Sequence, residues 1–200
     1  MSKINAVCVY CGTSSGTEPD FIKAATQFGK ILAENGVRLV YGGGSVGMMG
    51  ALAAATLEYG GALTGITPEF LIKRELPRRL AQELIITRDM HERKRLMFEH
   101  ADAFVAMPGG LGTLEELVEQ ITWAQLGRHK KPILIANIEG YWDPLLVLID
   151  HMRAIKFVPP ALQVDFLVTE KVEDILPMLR DAAHKVAETE VTMAVPAERL

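Results

Sequence analysis

Apolar positions along this chain follow two alternating periods. Short runs dense in Val, Ile and Leu fall at 4–10, 37–41, 62–67, 84–87, 102–107, 133–137 and 166–169. Their length and β-branched content predict buried strands. Between them lie helical patterns. Residues 19–35 carry Phe21, Ala24, Ala25, Phe28, Ile31 and Leu32 on one face and stop at Gly36. A glycine-rich loop over 42–50 opens a helix of small residues through Leu57, and a short helix is expected within 68–89. Further helices are predicted at 90–100, 113–126, near 143–153 and from about 171 to 187. Strands alternating with amphipathic helices define the α/β class, a parallel sheet covered by helices on both faces. The expected organisation is one domain over 1–187 and a loose C-terminal tail over 188–200, with no internal repeat.

Composition narrows the classes. The 200 residues are 49% hydrophobic and 23% charged, which is globular rather than disordered. The net charge of −4 argues against a general nucleic-acid binder. A mean hydropathy of +0.17 suggests apolar surface buried between subunits. No apolar run reaches the ~18 residues of a membrane helix, and the N-terminal segment does not read as a signal peptide. Cys8 and Cys11 are the only cysteines, too few for a disulfide scaffold. A cytoplasmic location is the expectation. Cys8 and Cys11 have C-x-x-C spacing but no further ligands to join them, so core thiols are the reading and no metal is expected.

In such sheets ligands bind beyond the carboxyl ends of the strands, which directs attention to the loops 11–16, 42–50 and 108–113. Residues 42–50 read Gly-Gly-Gly-Ser-Val-Gly-Met-Met-Gly. Gly42, Gly44 and Gly47 fit the dinucleotide G-x-G-x-x-G, but the loop follows the second strand and the third ends without an acid for a ribose. A Walker A loop fails because Met48 stands where lysine is required. Gly43-Gly44-Ser45-Val46-Gly47 also fits the nucleophile elbow G-x-S-x-G, with histidines downstream. Three consecutive glycines suit backbone approach to an anion better than a strained serine turn. Glycines serving only a tight turn would account for the same loop.

Residues 108–116, Pro-Gly-Gly-Leu-Gly-Thr-Leu-Glu-Glu, carry more chemistry. Gly109, Gly110 and Gly112 expose backbone N–H groups, the helix N-terminus adds partial positive charge, and Thr113 adds a hydroxyl. Together these make a phosphate cradle. Glu115, Glu116 and Glu119 crowd the same end. Acids in a first turn complement the helix dipole, whereas a carboxylate beside an anion site would face another part of the ligand, such as a sugar ring.

Residues 73–95 hold eight basic against four acidic side chains, much of which is ordinary solvated surface. Arg93 stands apart because it shares a helical face with Met90, Leu96 and Met97. A guanidinium there needs a carboxylate or phosphate partner, and a structural salt bridge and a ligand contact both satisfy that need.

Taken together these segments resemble the LONELY GUY (LOG) family of cytokinin riboside 5′-monophosphate phosphoribohydrolases. Residues 108–116 match its P-G-G-x-G-T-x-x-E motif, 90–94 its M-H-x-R-K, and 42–50 its G-G-G-x-x-G-x-M-G loop. Residues 121–127 and 11–14 are similar as well. The resemblance implies a Rossmann-like, doubly wound fold, a homodimer and hydrolysis of N6-substituted adenosine 5′-monophosphates without metal or cofactor. It implies Arg93 and Glu116 as the catalytic pair. Glu75, Arg93, Lys94, Gly110, Leu111, Gly112, Thr113, Leu114, Glu115, Glu116 and Thr122 correspond to substrate-binding positions. Gly43, Gly44 and Gly109 fall in the phosphate loops. Arg93 would orient Glu116 or hold the phosphate. Some proteins with this motif carry a lysine decarboxylase label, for which Lys94 can be nominated as the Schiff-base lysine, but its Arg-rich neighbourhood offers no carboxylate placed for the cofactor ring. The competing readings are a nucleotide sensor without turnover and a serine hydrolase using Ser45.

Overall fold

A computed structural model describes residues 4–72, 82–159 and 165–194. Seven strands, β1 Ala6–Tyr10, β2 Arg38–Tyr41, β3 Leu63–Pro68, β4 Glu83–Thr87, β5 Ala103–Ala106, β6 Ile133–Ala136 and β7 Leu167–Thr169, alternate with seven α-helices. These are α1 Pro19–Glu34, α2 Gly47–Glu58, α3 Glu69–Ile72, α4 Met90–Glu99, α5 Leu111–Gln125, α6 Asp143–Ala154 and α7 Val172–Ala194. The strands form one sheet in the order β4-β3-β2-β1-β5-β6-β7, and every pairing is parallel. The α/β, Rossmann-like, doubly wound reading therefore holds.

The sheet is buried on both faces, so each strand sends alternate side chains into two cores. Val7 and Val9 of β1 join Phe28, Leu32, Leu52 and Leu179 on the side of α1, α2 and α7. Ala6, Cys8 and Tyr10 join Met97, Leu117 and Trp142 on the side of α4, α5 and α6. Chain order reverses between β1 and β5. Their connections leave in opposite directions, which opens a crevice at the carboxyl end of the sheet.

Local chemistry sets several boundaries. Pro19 occupies the first turn of α1, where its missing N–H costs nothing. The Asp89 carboxylate caps α4 by accepting the Glu92 N–H at 2.8 Å. Three boundaries differ from the sequence expectation. Helix α5 starts at Leu111 rather than Thr113, because Gly110 holds extended backbone as the cap and Gly112 takes helical geometry. Helix α7 runs to Ala194, past the expected boundary at 187, because the amphipathic pattern continues. A 3-10 turn at Ile138–Gly140, unforeseen in the sequence, follows β6.

Helices α1 and α2 cross closely, and Gly29 is where they meet. A methyl group there would collide with the Leu52 carbonyl. Gly29→Ala is therefore expected to destabilise the fold by about 1–3 kcal/mol through overpacking. Urea unfolding should show a lower midpoint with an unchanged m-value.

Candidate active site

Loops from β1, β2 and β5 meet at the crevice and enclose a cavity of about 370 Å3. One wall is backbone: Gly12 and Thr13 after β1, Gly42 and Gly44 after β2, and Gly110 to Thr113 at the start of α5. The first bond of the α5 ladder runs from Leu114 N–H to Gly110 C=O at 3.0 Å. The N–H groups of Leu111, Gly112 and Thr113 precede it and remain available to an anion. A Cβ at Gly110 or Gly112 would meet nothing within 4 Å. These two glycines therefore present bare backbone to open space. Gly109 and Gly47 are glycines for another reason, since a side chain at either would strike Thr113 or Thr13.

Charged side chains line the same cavity. Arg93 on α4 and Glu116 on α5 are each only 7% exposed, with Arg93 Nη1 at 3.0 Å from Glu116 Oε1. Arg93 Nε donates to the Ile66 carbonyl at 3.0 Å, which ties the guanidinium to the end of β3. Gly42 leaves room for it, because a methyl there would run into Nη2. The carboxylate on the apolar stripe's partner helix is thus the partner that Arg93 required. Burial pushes the Glu116 carboxyl above the ordinary carboxylate value, while the Arg93 charge pulls it back. A perturbed, paired carboxylate on a cavity wall is a candidate for a functional position.

Other residues singled out in the sequence separate into distinct places. Leu111 is 84% exposed at the cavity mouth, and Glu115 lines the cavity. Lys94 does not line it. Its ammonium is held by Glu115 at 2.6 Å and Glu119 at 2.8 Å, clamping α4 to α5. Leu114 packs into the core beneath. Thr122 lies on the outer face of α5, exposed, with its hydroxyl donating to the Val118 carbonyl at 2.8 Å. Gly43 makes the loop turn at φ +80° against Thr67 and Leu84, and Ser45 is half-buried beside Gly50 rather than on the cavity wall. Glu75 lies outside the described residues. Cys8 and Cys11 are free, buried thiols that burial pushes far up, as expected of core cysteines.

The sequence reading left out Met49, Leu71 and Met90, which supply the apolar part of the cavity wall. It also left out Tyr141 of the 3-10 turn after β6, whose hydroxyl donates to the Gly109 carbonyl. No pattern in the chain points to Leu71 or Tyr141, because both arrive from distant segments. Thr13 was within reach as the polar residue of the first βα loop.

A Rossmann-like sheet with a glycine-lined helix N-terminus at its switch point is the arrangement in which doubly wound folds accept phosphorylated ligands. The family model described as "Possible lysine decarboxylase" matches residues 49–179. The cytokinin riboside 5′-monophosphate phosphoribohydrolase LOG7 of Arabidopsis thaliana is 46% identical over 80% of this chain and 73% of its own length. The enzyme LOG1 of the same plant is 41% identical over 92% of this chain and 90% of its own. This chain belongs to the LOG family. Among solved structures, the molybdenum cofactor binding protein from Rippkaea orientalis shares the fold with a TM-score of 0.67 and 19% identity, covering 90% of this chain and 98% of its own.

The decarboxylase description implies pyridoxal phosphate on a lysine, and none of the described residues fits that group. A Schiff base needs a neutral amine facing the ligand. Lys94, despite its burial, is held charged by two carboxylates and lies off the cavity wall.

The balance at Glu116 is open to measurement. In Arg93→Met the main opposition to burial is lost and only the weaker pull of the Lys94 charge remains, so the Glu116 carboxyl should titrate at higher pH than in the unaltered protein. Carboxyl 13C chemical shifts followed against pH would read that midpoint, and an unmoved midpoint would show that the guanidinium does not control it.

Proposed function

We propose that this protein hydrolyses the N-glycosidic bond of adenosine 5′-monophosphates, N6-substituted ones included, with Arg93 and Glu116 as its working pair. The observation that carries this reading is the placement of a buried, Arg-paired carboxylate on the wall of a cavity that also receives the α5 N-terminus. The relatives' phosphoribohydrolase activity supports the same reaction.

The chemistry follows from the two walls. The 5′-phosphate sits against the N–H groups of the α5 N-terminus and Thr113, which places the ribose within reach of Glu116. As the glycosidic bond breaks, its electron pair leaves with the base and positive charge develops on the ribose ring. The Glu116 carboxylate stabilises that charge. Water adds to C1′ and gives one proton to Glu116, the departing base takes a proton from solvent, and Glu116 then returns its proton to solvent, so that free base and ribose 5-phosphate are formed with no net change in protons. Its raised pKa makes Glu116 a better proton acceptor than an exposed carboxylate. Arg93 holds it in place and favours its ionised form. The base lies against Met49, Leu71, Met90 and Leu111.

A homodimer belongs to this reading. Leu111, Val118 and Leu126 are exposed along one face of α5, at the same helical spacing as Thr122. Val147, Leu148 and Ile155 are exposed on and just after α6, and Phe157 is 81% exposed. A second copy of the chain seated on the α5 face would cover these side chains and bring Thr122 against the partner. A cytoplasmic location goes with two free thiols. Among the described residues no helix is long and apolar enough to cross a membrane.

Incubation with adenosine 5′-monophosphate, its isopentenyl derivative and the matching nucleosides should release free base from the monophosphates only. Glu116→Gln should keep nucleotide binding and lose about 10²–10⁴-fold in turnover, the usual contribution of a positioned proton acceptor. Full activity in that variant would remove Glu116 from the mechanism. Light scattering should give twice the chain mass, and Leu126→Glu should shift it toward the single chain.

A further inference from the structure

Beside the main cavity lies a smaller one of about 250 Å3, walled by Gly109, Phe21 and Tyr141 and sharing Gly12, Thr13 and Gly110 with its neighbour. Tyr141 reaches this position at a conformational cost. The turn before it holds two successive residues in the left-handed region, Glu139 at φ +52° and Gly140 at φ +67°. Asn137 secures that turn. Its Oδ1 accepts the Trp142 N–H at 2.7 Å, its Nδ2 donates to Asp143 at 2.8 Å, and its own N–H reaches the Thr169 carbonyl. Left-handed backbone at a non-glycine residue persists where its surroundings over-determine it, and such strain gathers at functional sites. The Tyr141 ring is gripped edge-on by Phe21, with centroids 5.6 Å apart, and by Trp142 at 4.9 Å. That grip aims the hydroxyl at the Gly109 carbonyl, 32 residues away in the chain.

The Gly109 carbonyl and the Gly110 N–H belong to one peptide unit, which is planar and trans. Holding the carbonyl toward Tyr141 turns the N–H away from that side chain, and Gly110 borders the main cavity as well as the smaller one. Among the described residues no backbone carbonyl accepts that N–H. The two flanking residues are glycines, so no Cβ resists rotation of the peptide. A flipped peptide would turn its carbonyl oxygen, rather than its N–H, toward a bound phosphate.

We propose that Tyr141 is a positioning residue. Its hydroxyl locks the Gly109–Gly110 peptide so that the Gly110 N–H joins the α5 N-terminus in binding the 5′-phosphate. The hydrogen bond also polarises the peptide, which makes the N–H a stronger donor. This proposal rests on the phosphate placement given above. Its expected signature is selective: phosphate recognition weakens while base recognition and folding do not change.

The test is Tyr141→Phe, which keeps the ring between Phe21 and Trp142 and removes only the hydroxyl. Dissociation constants for ribose 5-phosphate and for adenine would be measured by calorimetry on both proteins, together with Tm and the 15N–1H signal of Gly110. The ribose 5-phosphate constant should rise about tenfold, the adenine constant and Tm should stay, and the ligand-induced shift of the Gly110 signal should disappear. An unchanged ribose 5-phosphate constant would overturn the proposal. A lower Tm with equal weakening of both ligands would also overturn it, marking Tyr141 as packing alone. If the unaltered protein bound adenine and not ribose 5-phosphate, the phosphate placement itself would fall.

Discussion

A buried guanidinium and a buried carboxylate facing each other at 3.0 Å set the terms for everything around them. Taking two charges out of water is costly, and a pair of this kind contributes little net stability compared with well-packed apolar residues. The surroundings are built to hold it nonetheless. The Ile66 carbonyl fixes one end of Arg93, Gly42 gives up its side chain to make room, and Lys94 ties α4 to α5 through Glu115 and Glu119. The pair in turn fixes the spacing of the two helices that flank the cavity. The pair sits on the wall of the cavity for which a catalytic role is proposed.

The two walls of the cavity divide the work by physical principle. Fixed backbone dipoles at the α5 N-terminus favour an anion and need no reorganisation when one binds. The carboxylate beside them would be repelled by that anion if the two met directly. It is tolerated because Arg93 screens it and because the ligand can place a neutral sugar between the charges. A ribose phosphate has that shape. In the proposed reading, the separation of charge along the cavity, rather than any one residue, selects a nucleotide over a simple phosphate.

The family's two labels make different demands on lysine. A pyridoxal enzyme requires a lysine whose amine is free to react, whereas here Lys94 is a cross-brace between helices. Among the described residues, the environment of Lys94 speaks against the decarboxylase label. The spacing of charges in the sequence could nominate Lys94, but it could not show that Glu115 and Glu119 occupy it.

Much of this protein was determined by its sequence. Short apolar, β-branched runs named all seven strands, and the 3.6-residue period named the amphipathic helices between them, since that period follows from backbone geometry alone. Glycines next to strand ends named the ligand-binding loops, and an arginine on an apolar stripe announced that a buried partner must exist. Only the tertiary structure decided who that partner was. Glu116 is 23 positions further along the chain, and nothing local specifies the approach of α5 to α4. The same limit hid Leu71, Met90 and Tyr141, and it placed Thr122 outside the cavity. Period and propensity are properties of neighbours in the chain. A cavity is made where distant segments meet, and those meetings are set by the packing of the whole sheet.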